Sequence, residues 1–425
     1  MLLVVTGCTH RLECFQSTIN TLCEANQLES FCYKYAICDL QGKLRAFLSV
    51  LCFLLTLHVN KTMKKTQIVE SCKHTYVVSF LVYLSFFHPT TSTTSNSTNN
   101  PSDKILLNCG SSGTSSFNGV KWMGDEDSNF LPQSYDKKSS TLSVSNPDSA
   151  VPPYLNARLI LSSFTYSFPF SAGLKFVRFY FVSTSYLGLN LSKAYFSVQT
   201  GPYTLLNDFS PSVVAEELKS VCFTKDFLVN VKENRLTITF TPSPVISSAF
   251  SFVNGIEIFS VPHSIYFSGA NVPLPFLGHQ APFFINDEYA LEMLYRVNAG
   301  VHGHTPNVKN AFGLWLDDLS YISGSTYGSV LNIEDRPYVV TYNSSLSKYY
   351  DYAAPRELYW TARTMGSNDD INRRYNLTWS FHVDSGFKYL VRLHFCEISS
   401  YVTEVNQRVF KVYINNQTAE ERMDF

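Results

Sequence analysis

Two adjacent aspartate pairs, Asp317-Asp318 and Asp369-Asp370, come closest to the paired carboxylates of glycoside hydrolysis. That reaction needs two carboxyl groups facing each other across a cleft, one of them with a raised pKa. Neighbouring aspartates on a strand or turn point apart, so both pairs read as solvated loop residues. His302-Gly303-His304 supplies two imidazoles, but no third ligand lies near in sequence to complete a metal site, and a loop is the better reading. A Gly-x-Ser-x-Gly elbow, a Cys/His constellation and a phosphate-binding loop are all missing from the sequence, as are the glycine-rich, His-Arg-Asp and Asp-Phe-Gly strings of a protein kinase. No catalytic residue, metal or cofactor is assigned, and enzymatic activity on glycosides is the least favoured function.

The chain repeats itself. Gly173-Leu-Lys-Phe-Val-Arg-Phe-Tyr-Phe181 followed by Ala194-Tyr-Phe-Ser-Val198 is echoed by Gly386-Phe-Lys-Tyr-Leu-Val-Arg-Leu-His-Phe395 followed by Arg408-Val-Phe-Lys-Val412. Arg178 and Arg392, Phe181 and Phe395, and Phe196 and Phe410 all stand 214 residues apart. Upstream, Asn108-Cys-Gly110 matches Asn298-Ala-Gly300. Trp122 with Asp125 and Asp127 matches Trp315 with Asp317 and Asp318. Landmarks in one order indicate two homologous domains in tandem, each of ordinary domain size. The tryptophans read as core anchors, with the aspartates capping turns.

Each repeat alternates at period two. In Leu236-Thr-Ile-Thr-Phe240 the apolar residues face inward and the threonines outward; Lys175, Val177, Phe179 and Phe181 share one strand face. Asn415-Asn416 suits a tight hairpin turn, Gly255 a bulge, and residues 213–220 a short helix. Short strands with regular turns predict an all-β fold, a sandwich in each repeat.

Charged residues make up 16% of the 425, below the roughly 25% of an average soluble chain, and aromatics reach 15%. A net charge of −1 gives no bulk electrostatic attraction to nucleic acid or anionic lipid. Ahead of the repeats, residues 46–57 and 76–87 are apolar runs shorter than the roughly 20 residues that span a bilayer. Met63-Lys64-Lys65 before the second run, with a Ser/Thr/Asn tract at 90–102 behind it, has the layout of a secretory signal peptide, diluted by Glu70 and Lys73. Residues 1–62 are then a spurious or leader extension, 63–88 the signal-like segment and 89–103 a low-complexity, disordered linker. The alternatives are a signal core at 46–57 behind a long leader, or a membrane hairpin.

Seven of the ten cysteines precede residue 88, leaving Cys109, Cys222 and Cys396 in a spacing that fits no zinc pattern. Cys109 and Cys222 bracket the first repeat and could bridge in an oxidising compartment; a free buried thiol is an equal reading for any of the three. Asn-x-Ser/Thr sequons at Asn96, Asn190, Asn343, Asn376 and Asn416 favour passage through the secretory pathway, with those asparagines glycosylated on surface loops.

Ile105-Leu-Leu-Asn-Cys-Gly-Ser-Ser112, Arg158-Leu-Ile160, Phe168-Pro-Phe170 and Phe252-Val-Asn-Gly-Ile-Glu-Ile-Phe259 resemble a malectin-like domain, as does Tyr389-Leu-Val-Arg-Leu-His-Phe-Cys-Glu-Ile398. Two such modules after a signal peptide are similar to the extracellular half of the FERONIA-type plant receptor-like kinases. The resemblance covers residues 104–425. It implies jelly-roll-like sandwiches at 104–262 and 294–425, joined by a linker at 263–293. It also implies binding of cell-wall polysaccharide or a secreted cysteine-containing signalling peptide with a membrane co-receptor, in the cleft between the sandwiches, on the outer face of the plasma membrane. A soluble secreted lectin-like or decoy protein is the alternative. Malectin itself holds a glucose disaccharide with aromatics in the loop after the matching strand. The corresponding loops, 182–187 and 397–402, each keep one aromatic, which makes Tyr186 and Tyr401 the ligand-binding candidates unless they merely cover loop edges. By the repeat register Phe209 falls within two residues of Phe425, so the second sandwich is expected to be incomplete, a fragment without the counterparts of 236–240 and 252–259.

Overall fold

Alternating strands that carry Phe and Tyr on their inward face must pair into sheets to satisfy their backbones, and then stack to hide those faces. The computed structural model shows this arrangement. It describes residues 103–132, 141–143, 151–262, 273–301, 308–333 and 354–424, apart from 185, 187, 188, 287 and 325–327, together with the backbone of 2–6. Strand β1 is Leu2–Thr6. The first repeat supplies β2 (Ile105–Asn108), β3 (Thr114–Phe117), β4 (Val120–Gly124), β5 (Thr141–Ser143), β6 (Asn156–Ile160), β7 (Phe164–Phe168) and β8 (Gly173–Val182). It continues with β9 (Phe196–Thr200), β10 (Tyr203–Phe209), β11 (Cys222–Val231), β12 (Leu236–Pro242), β13 (Ser251–Val253) and β14 (Gly255–Ser260). Helix α1, Pro211–Leu218, lies close to the predicted span; Pro211 presets its first turn and left-handed Lys219 ends it.

Strands β11-β8-β14-β2-β4-β3 form one layer and β10-β9-β12-β7 the other. Between them lie Val177, Phe179, Phe181, Ile256 and Ile258 from the first, and Tyr166, Phe168, Phe196, Val198, Ile238 and Phe240 from the second. The alternation read in 236–240 holds residue by residue. Gly255 is not a bulge. The chain leaves β13, which forms a separate three-stranded sheet with β6 and β5, and enters β14 in the first layer at this point. A Cβ on Gly255 would lie 2.6 Å from the Pro153 ring, so close packing at the crossover is what requires glycine.

The second repeat supplies β15 (Leu291–Asn298), β16 (Lys309–Asn310), β17 (Gly313–Leu314), β18 (Leu316–Asp317), β19 (Ile322–Ser323), β20 (Ser329–Asn332), β21 (Thr361–Thr364) and β22 (Thr378–Trp379). After these come β23 (Leu390–His394), β24 (Val409–Ile414) and β25 (Gln417–Asp424). Strand β15 pairs with β18 in parallel, as β2 does with β4. Strands β24 and β25 meet across Asn415-Asn416, both with positive φ as a two-residue hairpin turn needs. This hairpin matches β9 and β10. Val409 and Tyr413 on the hairpin are exposed.

Two features lie in segments that the sequence reading set outside the sandwiches. Residues 2–6, within the segment read as a spurious or leader extension, form β1 between β15 and β23, where an apolar run rich in β-branched residues suits a strand. Of the segment taken as a linker, residues 273–286 are folded: Leu274 bridges Phe283, and Ile285 is buried in the second hydrophobic cluster. The segments 63–88 and 89–102 lie outside the described residues.

Candidate functional site

The two loop tyrosines have opposite fates. Tyr186 is 3% exposed; its hydroxyl donates to the Val182 carbonyl at 3.0 Å and accepts from Asn254 Nδ2 at 3.0 Å. Its ring meets Phe252 edge-on at 5.6 Å. Burial pushes its phenol above the usual range. Tyr186 therefore closes the first core and presents no face to a ligand. Tyr401 is 91% exposed. The loop beneath it is held by polar turns: Glu397 accepts from Ser399 N at 2.8 Å and pairs with Arg408 at 2.7 Å, while Gln407 Oε1 accepts from Thr403 N and Glu404 N. A fixed loop that projects one bare ring is an arrangement suited to stacking on a sugar face or a peptide side chain. Tyr186 is covered by β13 and Asn254, and no such cover exists over Tyr401 among the described residues.

A buried aspartate holds each repeat together. In the first, Asp125 accepts from Gly110 N at 2.8 Å, from Arg158 Nε at 2.9 Å and Nη2 at 2.5 Å, and from the Tyr166 hydroxyl at 2.9 Å. In the second, Asp318 accepts from Gly300 N at 3.1 Å, Arg363 Nε and Nη2 at 2.7 Å, and Trp379 Nε1 at 3.0 Å. Burial would lower the Arg158 pKa, but its bonds to Asp125 hold it above the usual guanidinium value. Each glycine has positive φ, and a Cβ would strike the carbonyl of Ala157 or Ala362. The turn-capping role read from Trp122/Asp125 and Trp315/Asp318 is correct as far as it goes. The arginine and aromatic donors, 33 to 61 residues away, were not visible as partners.

The face of β8 opposite the first core packs on the second repeat. Phe176 meets Phe259 at 4.8 Å and Phe312 at 5.2 Å. Arg178 donates to Asp226 at 2.7 and 2.6 Å and to the Phe312 carbonyl, and Arg296 lies 3.5 Å from the same aspartate. Strand β11 pairs with β15, so one sheet runs through both repeats. This joint is filled; a ligand seated at the junction would lie on its rim.

A family model for the malectin-like domain matches residues 107–425. The chain belongs to the malectin-like family. Receptor-like protein kinase FERONIA of Arabidopsis thaliana is 44% identical over 329 residues, 76% of this chain and 36% of the relative. Receptor-like protein kinase ANXUR1 of Arabidopsis thaliana is 33% identical over 355 residues, 81% of this chain and 39% of the relative. The chain thus spans little more than a third of those kinases, and the part it matches is the ectodomain. The crystal structure of FER superposes with a TM-score of 0.65 at 42% identity, covering 76% of this chain and 81% of that one. A structure of FER in complex with the plant peptide RALF23 and LLG2 gives 0.66 at 42% identity, with coverage of 76% and 81%.

The remaining candidates of this malectin-like chain scatter. Asn190, Asn376 and Asn416 are exposed, as glycosylation requires; Asn96 and Asn343 lie outside the described residues, as do His302 and His304. Cys109, Cys222 and Cys396 are free thiols in the structure, the second of the two readings left open for them. Cys109 is sealed in the first core, where burial and the Asp125 charge push its thiol well up, whereas Cys222 is exposed at the start of β11. Asp369 and Asp370 are exposed in the helix Asp369–Asn372, as is Asp317, but Asp318 overturns the solvated-loop reading of its pair: it is buried as the acceptor for Gly300, Arg363 and Trp379. No group of metal-ligating side chains occurs, and no helix is long and apolar enough to cross a membrane, among the described residues.

His394 sits where the first repeat has Tyr180. Its Nδ1 bonds the Tyr359 hydroxyl at 2.9 Å, and burial with the nearby Arg392 charge lowers its pKa to about 3. The unfolded chain takes up a proton here below about pH 6.5, whereas the folded ring refuses it until about pH 3. The ring's contribution is therefore complete above pH 6.5 and is lost as the pH falls. Between pH 6.5 and 4.5 the loss is about 2 kcal/mol. His394→Gln should flatten the pH dependence of urea midpoints over that window; parallel curves for the two proteins would refute the assignment.

Proposed function

We propose that this chain is an extracellular, non-catalytic recognition region that binds a secreted cysteine-containing signalling peptide together with a membrane-attached co-receptor. The supporting observation is the match of residues 107–425, at 42% identity, to the ectodomain whose solved complex holds RALF23 and LLG2. The exposed sequons and the signal-like segment agree with passage through the secretory pathway. Tyr401 is the proposed contact residue, because its ring is bare and its loop is braced. The full chain, secreted from plant cells, is expected to retain a cysteine-containing peptide of this class on a biosensor. Tyr401→Ala should weaken binding about tenfold, the cost of roughly 1.4 kcal/mol of aromatic contact. Tyr186→Phe, which keeps the packing, should leave binding unchanged. A chain that ignores the peptide but binds pectin oligomers would replace this reading with a wall-polysaccharide function.

A further inference from the structure

The hairpin of β24 and β25 repeats that of β9 and β10, but its tip carries different chemistry. In the first repeat Gln199 stands opposite Thr204, both exposed, and the turn between the strands is Gly201-Pro202. In the second, Tyr413 stands opposite Thr418, both exposed, and the turn is Asn415-Asn416. Directly opposed residues point to one face of a hairpin. For Tyr413 and Thr418 it is the outer face, since Phe410 on the other side of β24 meets Phe395 at 5.8 Å. Tyr413 is 51% exposed. Asn416-Gln417-Thr418 is a glycosylation sequon, and the first repeat has none at this turn. A bare aromatic ring and a sequon therefore arrive together at one hairpin tip.

Residues 275–282 lie beside this tip. A groove of about 430 Å³ separates them from Thr418 and Ala419, within the roughly 300–1,000 Å³ of small-molecule sites. On its wall Phe276 lies flat against His279, with centroids 4.1 Å and planes 10° apart. A Cβ on Gly278 would stand 3.1 Å from Gln417 Oε1, so this segment sits directly against the sequon. Thr418 belongs at once to the sequon, to the face it shares with Tyr413 and to the groove wall. Asn416 is two positions from Thr418, about 7 Å along the strand, a span that the innermost sugars of an attached glycan cover. The C–H face of N-acetylglucosamine packs on a bare ring such as Tyr413. Its hydroxyls and acetamido group need polar partners, which the Gln280 amide and the Thr418 hydroxyl offer in the groove.

We infer that Asn416 carries an N-linked oligosaccharide whose innermost N-acetylglucosamine units lie across Tyr413 and in this groove, fastening 275–282 to the hairpin. The donor is an oligosaccharide on a lipid pyrophosphate. Asn416 Nδ2 loses a proton and bonds C1 of the sugar, and the pyrophosphate leaves with the electron pair of the broken C1–O bond. This attachment requires the secretory passage of the proposed function and does not require the bound peptide. In the full chain secreted from plant cells, glycopeptide mass spectrometry should find sugar on Asn416. Hydrogen exchange at 275–282 should quicken about tenfold in Thr418→Val, which loses the sequon and keeps the side-chain shape. Tyr413→Ser, which keeps the sugar and loses the ring, should do the same. Thr378→Val, which removes the sequon at Asn376, should leave that exchange unchanged. Should a variant fail to be secreted, removing the sugar from the purified parent chain with a glycan amidase must give the same faster exchange. A bare Asn416 in a chain glycosylated at Asn190 or Asn376, or exchange at 275–282 that ignores removal of the sugar, overturns the proposal. A chain bearing no sugar at all overturns it together with the secretory reading.

Discussion

Asp125→Ala is expected to lower the stability of the first repeat by about 3–5 kcal/mol, a large share of the 5–15 kcal/mol that typically holds a domain. The carboxylate and the Arg158 side chain are both fully buried, so the substitution strands a guanidinium in the core. It also removes the acceptor for Gly110 N and for the Tyr166 hydroxyl, both buried. Neither group can turn to water, and each orphaned donor adds a desolvation cost. Urea unfolding followed by tyrosine and tryptophan fluorescence would show the loss as a lower midpoint at an unchanged slope. Asp127→Ala is the control: that residue is exposed and bonds only Gly113 N, so its effect should stay within about 0.5 kcal/mol. If Asp125→Ala and Asp127→Ala behave alike, the node is not what holds this repeat together. Asp318→Ala should reproduce the large effect in the second repeat, because Gly300, Arg363 and Trp379 stand around it as Gly110, Arg158 and Tyr166 stand around Asp125.

The duplication, the all-β class and the Asn415-Asn416 turn were legible because each rests on local pattern: landmarks repeated at one spacing, period two, turn asparagines. The node aspartates were half legible. Their recurrence after a tryptophan marked them, but nothing local to Asp125 announces Arg158 or Tyr166, which the β6 and β7 strands bring in from afar. Tyr186 and Tyr401 look equivalent in sequence, and only the cover contributed by Phe252 and Asn254 separates a core residue from an exposed one. Gly255 signalled a backbone peculiarity correctly, but period two cannot tell a bulge from a change of sheet. The cysteines stayed undecided for a related reason: spacing along the chain gives no burial, and of the two readings left open Cys109 takes the second, a buried free thiol.

Asp226→Ala is expected to uncouple the two repeats. Asp226 lies across from Arg178 on the neighbouring strand, accepts from its Nε and Nη2, and stands 3.5 Å from Arg296 of the second repeat. Burial would lower the Arg178 pKa, but the Asp226 charge and bonds hold it well above the ordinary value, a support that Asp226→Ala removes. Without the carboxylate, the Arg178 and Arg296 guanidinium groups converge beside Phe312 with their shared acceptor gone and Glu257, 3.6 Å from Arg178, the nearest remaining anion, costing about 3–5 kcal/mol. The aromatic contact of Phe176, Phe259 and Phe312 lies next to this pair and would be the first packing to loosen. Scanning calorimetry should then resolve two transitions where the parent chain shows one, with the second repeat melting first because its hairpin is more exposed. Arg178→Met, which removes the charge and keeps the bulk, should cost less than Asp226→Ala. Lys225→Ala, which breaks only a half-exposed pair with Glu292, should change stability by less than about 1 kcal/mol. A single transition at the parent temperature in Asp226→Ala would show that strand pairing between β11 and β15 suffices to join the repeats. The same variant also locates the ligand. A peptide that spans both repeats requires their fixed geometry and should lose affinity in Asp226→Ala, whereas one held by the Tyr401 loop alone should not.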